Sequence, residues 1–239
     1  HLQRIGQLLS TRAEPGKTLF VAGSSGIEYA LCQYWGVGNS QLPAGGAAVD
    51  HALVVSGSCS PVTERQIARA LTKGFAGVAA DTALLVQGGP AAEAETARLV
   101  VESLKALEAG KSPLVHTALG PADERIGATA AKLQAMGYDL LDLKLKSGEI
   151  FGRVLGNIVQ TIFAGTGLRR ACVAGGDTST YAARQLRIEA LEMVGPMAPG
   201  SPLCRVSAAN GVIDGAEITF KGGQVGRDDF FTSVLKGKP

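Results

Sequence analysis

Short apolar runs alternate along the chain with longer stretches whose apolar positions recur at helical spacing, the pattern of a parallel sheet with helices packed on it. Thr18-Leu-Phe-Val-Ala22 predicts a strand that ends at Gly23-Ser-Ser-Gly26 and leads into a helix through about Trp35. Gly36 to Ala48, rich in Gly, Pro and Ala, reads as a linker. Ala52-Leu-Val-Val-Ser56 restarts the pattern as a buried strand. Gly57 breaks it, Ser60 suits a helix N-cap and Pro61 the first turn. The spacing Ile67, Ala70, Leu71, Phe75 gives that helix one apolar face.

The strongest helical period runs from Ala91 to Ala109, with Leu99, Val100, Ser103, Leu104 and Leu107 on one stripe. Leu114-Val-His-Thr117 predicts a short strand, and Glu149 to Phe163 an amphipathic helix. Arg170-Ala-Cys-Val-Ala174 predicts a strand stopping at Gly175-Gly176, with a helix over Ser179 to Leu186. Ile188 to Phe220 reads as short strands between Pro and Gly turns. The expected fold is α/β: a Rossmann-like, mostly parallel sheet with helices on both faces.

Composition narrows the function classes. The chain has 239 residues, 46% of them apolar and 18% charged, enough to bury a core in one or two domains. Lys and Arg number 23 against 21 Asp and Glu, a net charge of +2, so no basic face for duplex nucleic acid is expected. Aromatic residues at 5% argue against a stacking platform for single strands. No apolar run reaches the ~18–20 residues of a membrane helix, and no leader pattern follows His1. A start at His1 without an initiator Met reads as a processed or truncated chain. Cys32, Cys59, Cys172 and Cys204 are scattered, with no Cys-x-x-Cys pair, and a chain of this length does not require disulfides. The cytosol is the default location on this reading.

Glycine, at 32 residues, changes the picture more. Three segments place Gly where a strand ends and a helix can begin: Ser56-Gly-Ser-Cys-Ser-Pro61, Gly175-Gly-Asp-Thr-Ser179 and Lys221-Gly-Gly-Gln-Val-Gly226. At such turns helix N–H groups and the helix dipole favour an anion, Gly permits close approach, and Ser or Thr adds donors. In a parallel sheet the turns converge on the carboxyl edge. They therefore read as a set of phosphate cradles, or more plainly as the tight turns any α/β domain needs. Asp177 is a helix N-cap or a ligand for Mg²⁺, which takes few carboxylates beside phosphate oxygens. Lys221 meets a phosphate or is solvated; Asp228-Asp229 caps the last helix; His116 is a satisfied core histidine. No Gly-x4-Gly-Lys-[Ser/Thr] loop and no Gly-x-Ser-x-Gly elbow occurs, and Gly23-Ser-Ser-Gly26 lacks the third glycine of a dinucleotide fingerprint.

Taken together, Val55-Ser-Gly-Ser-Cys-Ser-Pro-Val-Thr63 with Gln66, Ala174-Gly-Gly-Asp-Thr-Ser179, Pro199-Gly-Ser-Pro202 and Phe220-Lys-Gly-Gly-Gln-Val-Gly226 with Asp229-Phe-Phe231 resemble, in order and spacing, the signatures of the four-carbon acid sugar kinases. The resemblance covers residues from about 50 to 235 and is to that family's carboxyl-terminal nucleotide-binding domain. It implies ATP and Mg²⁺ as cofactors, with Ser56, Ser58, Gly175, Gly176, Asp177, Thr178, Gly222 and Gly223 as nucleotide contacts and Asp177 on the metal. It also implies γ-phosphate transfer to a hydroxyl of a four-carbon sugar acid of threonate, erythronate or oxo-tetronate type. Residues 1–45 then resemble the tail of the family's first domain, and 46–239 form the nucleotide-binding domain. The Asp-Asp-x-Thr-Gly loop of that first domain does not occur in these residues. The sugar acid would therefore be held mainly by a missing amino-terminal domain, the fragment alone would be inactive, and no catalytic base is assigned. The other readings are a non-catalytic nucleotide-binding module and an NAD-dependent oxidoreductase; a homo-oligomer stays open.

Overall fold

The computed structural model describes residues 1–37, 42–139, 142–209 and 211–239. It comprises two units, His1–Leu42 and Pro43–Pro239. In the first, α1 (Leu2–Arg12) packs on α2 (Gly26–Trp35). At Gly6 the helices approach so closely that a Cβ would lie 2.1 Å from the Ala30 carbonyl oxygen. Trp35 Nε1 donates to Ser10 Oγ at 2.9 Å. The strand expected over 18–22 is absent. A strand needs a ladder partner and a covered face; this segment pairs with no strand, and Phe20 is 92% exposed. Within the expected linker, residues 38–41 lie outside the described residues.

The second unit runs β1 (Leu53–Ser56), α3 (Pro61–Leu71), β2 (Phe75–Ala79), α4 (Thr82–Gln87), α5 (Gly89–Glu108), β3 (Ser112–His116), α6 (Glu124–Ala135) and α7 (Asp142–Gly165). It continues with β4 (Arg170–Ala174), α8 (Gly176–Gln185), β5 (Ile188–Ala198), β6 (Ser201–Ala208), β7 (Glu217–Lys221) and α9 (Phe230–Lys236). Phe75 does not extend the face of α3, as its spacing suggested. Gly74, at φ +91°, turns the chain, and Phe75 opens β2 instead. The region after Ile188 is not a series of short strands only: β5 spans 11 residues and forms a hairpin with β6.

The strands form one sheet in the order β2-β3-β1-β4-β7-β6-β5. The first five are parallel, and the β7-β6-β5 edge is antiparallel. Alternation along β1 sends Leu53 and Val55 to one face, where residues of α4, α5, α6, α7 and α8 cover them. Val54 faces the other side, beneath Ile67 and Ala70 of α3 and Phe230, Phe231 and Val234 of α9. The expected α/β sheet with helices on both faces is what the chain forms. Among the described residues no helix is long and apolar enough to cross a membrane.

The amino edge is clamped by Arg170, 2% exposed. Its guanidinium forms an ion pair with Glu217 and donates to the carbonyls of Ala47 at 2.7 Å, Val234 at 3.2 Å and Leu235 at 3.3 Å. One side chain thus ties the segment entering β1 and the carboxyl-terminal helix to the sheet.

Candidate functional site

The chain leaves β1 for β2 on one side of it and later crosses to β4 on the other, so strand order reverses beside β1. In open α/β sheets such a reversal opens a crevice at the carboxyl ends of the strands. Here the crevice is a cavity of about 690 Å³. Its polar end is made by Gly57–Ser60 after β1, Thr117 after β3 and Gly175–Thr178 after β4. Its apolar end lies between α6 and α7, where Ala130, Leu133, Leu143 and Phe151 line it.

Two helices begin at the polar end, and they differ. The N-terminus of α3 is already capped: Ser60 Oγ accepts from Thr63 N at 3.1 Å, with Pro61 in the first turn. That of α8 has no side-chain cap, because Gly175 stands at the N-cap. The first N–H groups of α8 have no intrahelical acceptor, and they border the cavity. The partial positive charge of a helix start is thus left for a ligand at α8 and not at α3. Gly175, at φ +124°, allows this turn; it donates from its N–H to the Lys221 carbonyl at 2.8 Å. Across the gap, Gly57 sits so close to Thr178 that a Cβ on it would lie 2.1 Å from Thr178 Oγ1.

The seat of α8 is set by α7. Gly148, Gly152 and Gly156 fall four residues apart on one face of α7. A Cβ on Gly152 would lie 2.4 Å from Tyr181 Cβ, and one on Gly156 3.0 Å from Gln185 Cβ. This close packing carries the start of α8 to the cavity wall, with Asp177 beside Gly148.

The family model described as the nucleotide-binding C-terminal domain matches residues 53–231. The chain belongs to this family. A 3-oxo-isoapionate kinase of Paraburkholderia graminis is 37% identical over 228 residues, covering 93% of this chain and 47% of that protein. A 3-oxo-tetronate kinase of Pectobacterium atrosepticum is 27% identical over 239 residues, covering 96% of this chain and 51% of that protein. The chain thus spans about half the length of the curated relatives it matches. A solved structure of a Haemophilus influenzae protein of the DUF1537 family shares the fold at TM-score 0.61 and 20% identity, covering 98% of this chain and 51% of that one. The resemblance drawn from the strand-end motifs is borne out by the domain family and by the names of these relatives.

Within this nucleotide-binding domain, Ser58, Gly175, Gly176, Asp177 and Thr178 line the cavity together. Ser56 lies behind them, fully buried, its Oγ accepting from Ser58 N at 3.4 Å. Gly222 and Gly223 do not line the cavity, but the next residue, Gln224, does. The Gly223 carbonyl accepts from Ser60 Oγ at 2.5 Å and lies 2.9 Å from Thr63 Oγ1, which joins the third turn to the first. Gln66 Nε2 holds the same turn through the carbonyls of Val225 at 3.0 Å and Arg227 at 2.9 Å. Asp177 is not the N-cap of α8; it stands exposed in the first turn.

Other expectations are corrected. Lys221 neither lines the cavity nor meets solvent. It is 1% exposed, and its Nζ lies 5.8 Å from the Phe231 ring centroid and 6.0 Å from that of Phe230. Burial holds its ammonium below the ordinary lysine value, against the opposing influence of Cys172, whose own thiol burial pushes up to about 12. The aspartates before α9 do not cap it by side chain: Asp229 makes no cap bond, and Asp228 pairs with Arg65 at 3.0 Å. His116, by contrast, agrees with its reading as a satisfied core histidine: it is buried at the end of β3, and its Nδ1 lies 3.1 Å from Arg125 Nη2. Burial, then the Arg125 charge, bring it down to about 4 against the pull of Asp123, so it is neutral at pH 7 and Nδ1 accepts from Arg125. Arg125, also ion-paired with Asp123 at 2.7 Å, lines the cavity between its two ends. Sequence reading missed Arg125, the apolar slot, and Lys144 and Ser147 of α7.

Proposed function

We propose that this chain is the ATP-binding half of a kinase that phosphorylates a four-carbon sugar acid of threonate, erythronate or oxo-tetronate type. The observation that carries the reading is the uncapped start of α8 facing Ser58 at one end of a cavity whose other end is an apolar slot. That is the division a nucleoside triphosphate needs, an apolar berth for a flat base and donors for its phosphates. In this arrangement Leu133, Leu143 and Phe151 sandwich the base. The N–H groups of Gly176, Asp177 and Thr178, with the Ser58 hydroxyl, receive the phosphates. Lys144 and Arg125 add positive charge along the wall.

Among the described residues no group of three or more His, Cys, Asp or Glu could hold a metal. Magnesium does not require one, since it commonly takes one or two carboxylates plus phosphate oxygens and water. Asp177, exposed at the cavity wall beside the phosphate donors, fits that role. Bound there, Mg²⁺ would neutralise charge on the phosphates.

Phosphoryl transfer depends mainly on positioning and charge stabilisation. The residues of this chain hold and orient the donor. The acceptor's carboxylate and attacking hydroxyl belong to an acidic loop these 239 residues lack, and residues 1–45 form part of that substrate half. The exposed Leu2, Ile5, Leu8, Leu19 and Phe20 are surface such a half would cover. The names of the relatives favour a 3-oxo acid.

Incubation with ATP, Mg²⁺ and a panel of threonate, erythronate and their oxo forms tests this division. The expected result is bound ATP, at most slow hydrolysis, and no phosphorylated acid. Turnover of any acid at the ~1–100 s⁻¹ usual for kinases would place a complete substrate site within these residues. Absence of ATP binding would remove the kinase reading itself.

A further inference from the structure

We propose that Gln224 is a further phosphate-contacting residue of the cavity, and that Gln66, which touches no ligand, is the positioning residue that holds it there. The inference rests on the nucleotide reading above and adds two residues to it.

Gln66 is fully buried on α3. One terminal atom of its amide lies 3.0 Å from the Val225 carbonyl oxygen and 2.9 Å from that of Arg227. An atom between two carbonyl oxygens is the NH2 of the amide, because the amide oxygen would be repelled by both. Both of its hydrogens are therefore spent on the turn that follows β7. The other terminal atom, Oε1, is buried and accepts from no group among the described residues. A buried acceptor without a donor costs stability, so packing alone would favour an apolar side chain of this size. What the position gains from glutamine is the pair of bonds to the turn.

Two more side chains join it. Ser60, Thr63 and Gln66 are spaced three apart at the start of α3, and they meet alternate carbonyls of the turn, those of Gly223, Val225 and Arg227. Among the described residues Gln66 is the sole side-chain partner of the Val225 carbonyl. Gly226, at φ +89°, turns the chain between the two carbonyls that Gln66 holds. At the other end Gly223 is pressed onto Ser58, where a Cβ would lie 2.7 Å from Ser58 Oγ. Gln224 stands between these two fixed points. It is exposed and lines the cavity with Ser58, and its amide has no hydrogen-bond partner among the described residues. A neutral amide with free N–H groups can donate to a phosphate oxygen and carries no charge to repel it.

The test is read on the 239-residue chain as the ratio of ADP to adenosine affinity, because a general loss of structure would weaken both ligands. Gln224→Ala should lower that ratio by about 10-fold, as for loss of one hydrogen bond to a charged group. Gln224→Glu, of the same size but anionic, should lower it further. Gln66→Met should lower it by about 10-fold in the parent, and by less than about 2-fold in the Gln224→Ala background, since both act through one contact. If Gln66→Met does not fold, Gln66→Asn, whose NH2 falls one methylene short of the two carbonyls, takes its place with the same expectation. An unchanged ratio in Gln224→Ala overturns the contact. Losses that multiply between Gln66→Met and Gln224→Ala overturn the positioning role. Either result leaves the nucleotide reading standing, whereas a parent chain that binds no ADP overturns both.

Discussion

Gly176→Val should lower ADP affinity by about 100-fold, roughly 2.8 kcal/mol, while leaving the fold intact. Gly176 is the first residue of α8, and a Cβ built on it meets nothing within 4 Å. Its φ is not in the left-handed region, so a side chain there is not strained. The free space is the cavity itself, in front of the N–H groups that no cap satisfies. Valine branches would stand where phosphate oxygens must approach the backbone. The intrinsic cost of Val in place of Gly in a helix is negligible or favourable, so thermal unfolding should move by no more than a few degrees. The neighbouring Gly175→Val makes the contrast: at φ +124°, and with Thr178 Oγ1 2.9 Å from its Cβ position, it should lose stability as well as binding. Equal ADP affinity in Gly176→Val and the parent would remove Gly176 from the site.

Arg170→Met should destabilise the second unit by about 3 kcal/mol without altering nucleotide affinity in the folded fraction. The side chain is buried and serves Glu217 and three backbone carbonyls at once. Removing one member of a buried ion pair commonly costs ~3–5 kcal/mol, because the partner is left uncompensated. The lower end applies because the Glu217 side chain is 21% exposed and Arg205 stands 3.9 Å away on its other oxygen. Arg170 begins β4, at the edge opposite the cavity, which separates the stability effect from binding. Urea unfolding measures the loss; a change below about 0.5 kcal/mol, the range of ordinary surface substitutions, would show that the clamp contributes little.

What the sequence disclosed and withheld follows from burial. The strands β1 and β4 were legible because each is a fully buried apolar run closed by glycine. The long periods of α5 and α7 were legible for the same reason, at helical spacing. By contrast, β2 is an edge strand of small residues, Phe75-Ala-Gly-Val-Ala79, partly exposed, and offers neither a continuous apolar run nor clean alternation. The helix α6 buries only Thr129 and Leu133, so its period is faint. Residues 18–22 carried the composition of a strand without a partner to pair with, which no local pattern can supply. At the site, glycines and hydroxyls marked the polar end because the turns themselves demand those residues. The apolar slot joins α6 to α7 across distant sequence, and only packing assembles it. The glycines at 148, 152 and 156 were visible as a spacing, but their meaning required α8 beside them. Lys221 was the sharpest reversal. A lysine after a strand looks solvated, and its burial comes from Phe230 and Phe231, which α9 lays against it.

The proposed function requires the cavity at the carboxyl edge to take an adenine nucleotide by its phosphates. Calorimetric titration of the chain with ADP and Mg²⁺, and separately with NAD, tests it most directly. The expected result is one ADP site per chain, weakened in Gly176→Val and unaffected in Arg170→Met, with NAD bound much more weakly. Tight NAD binding with no response to ADP would contradict it.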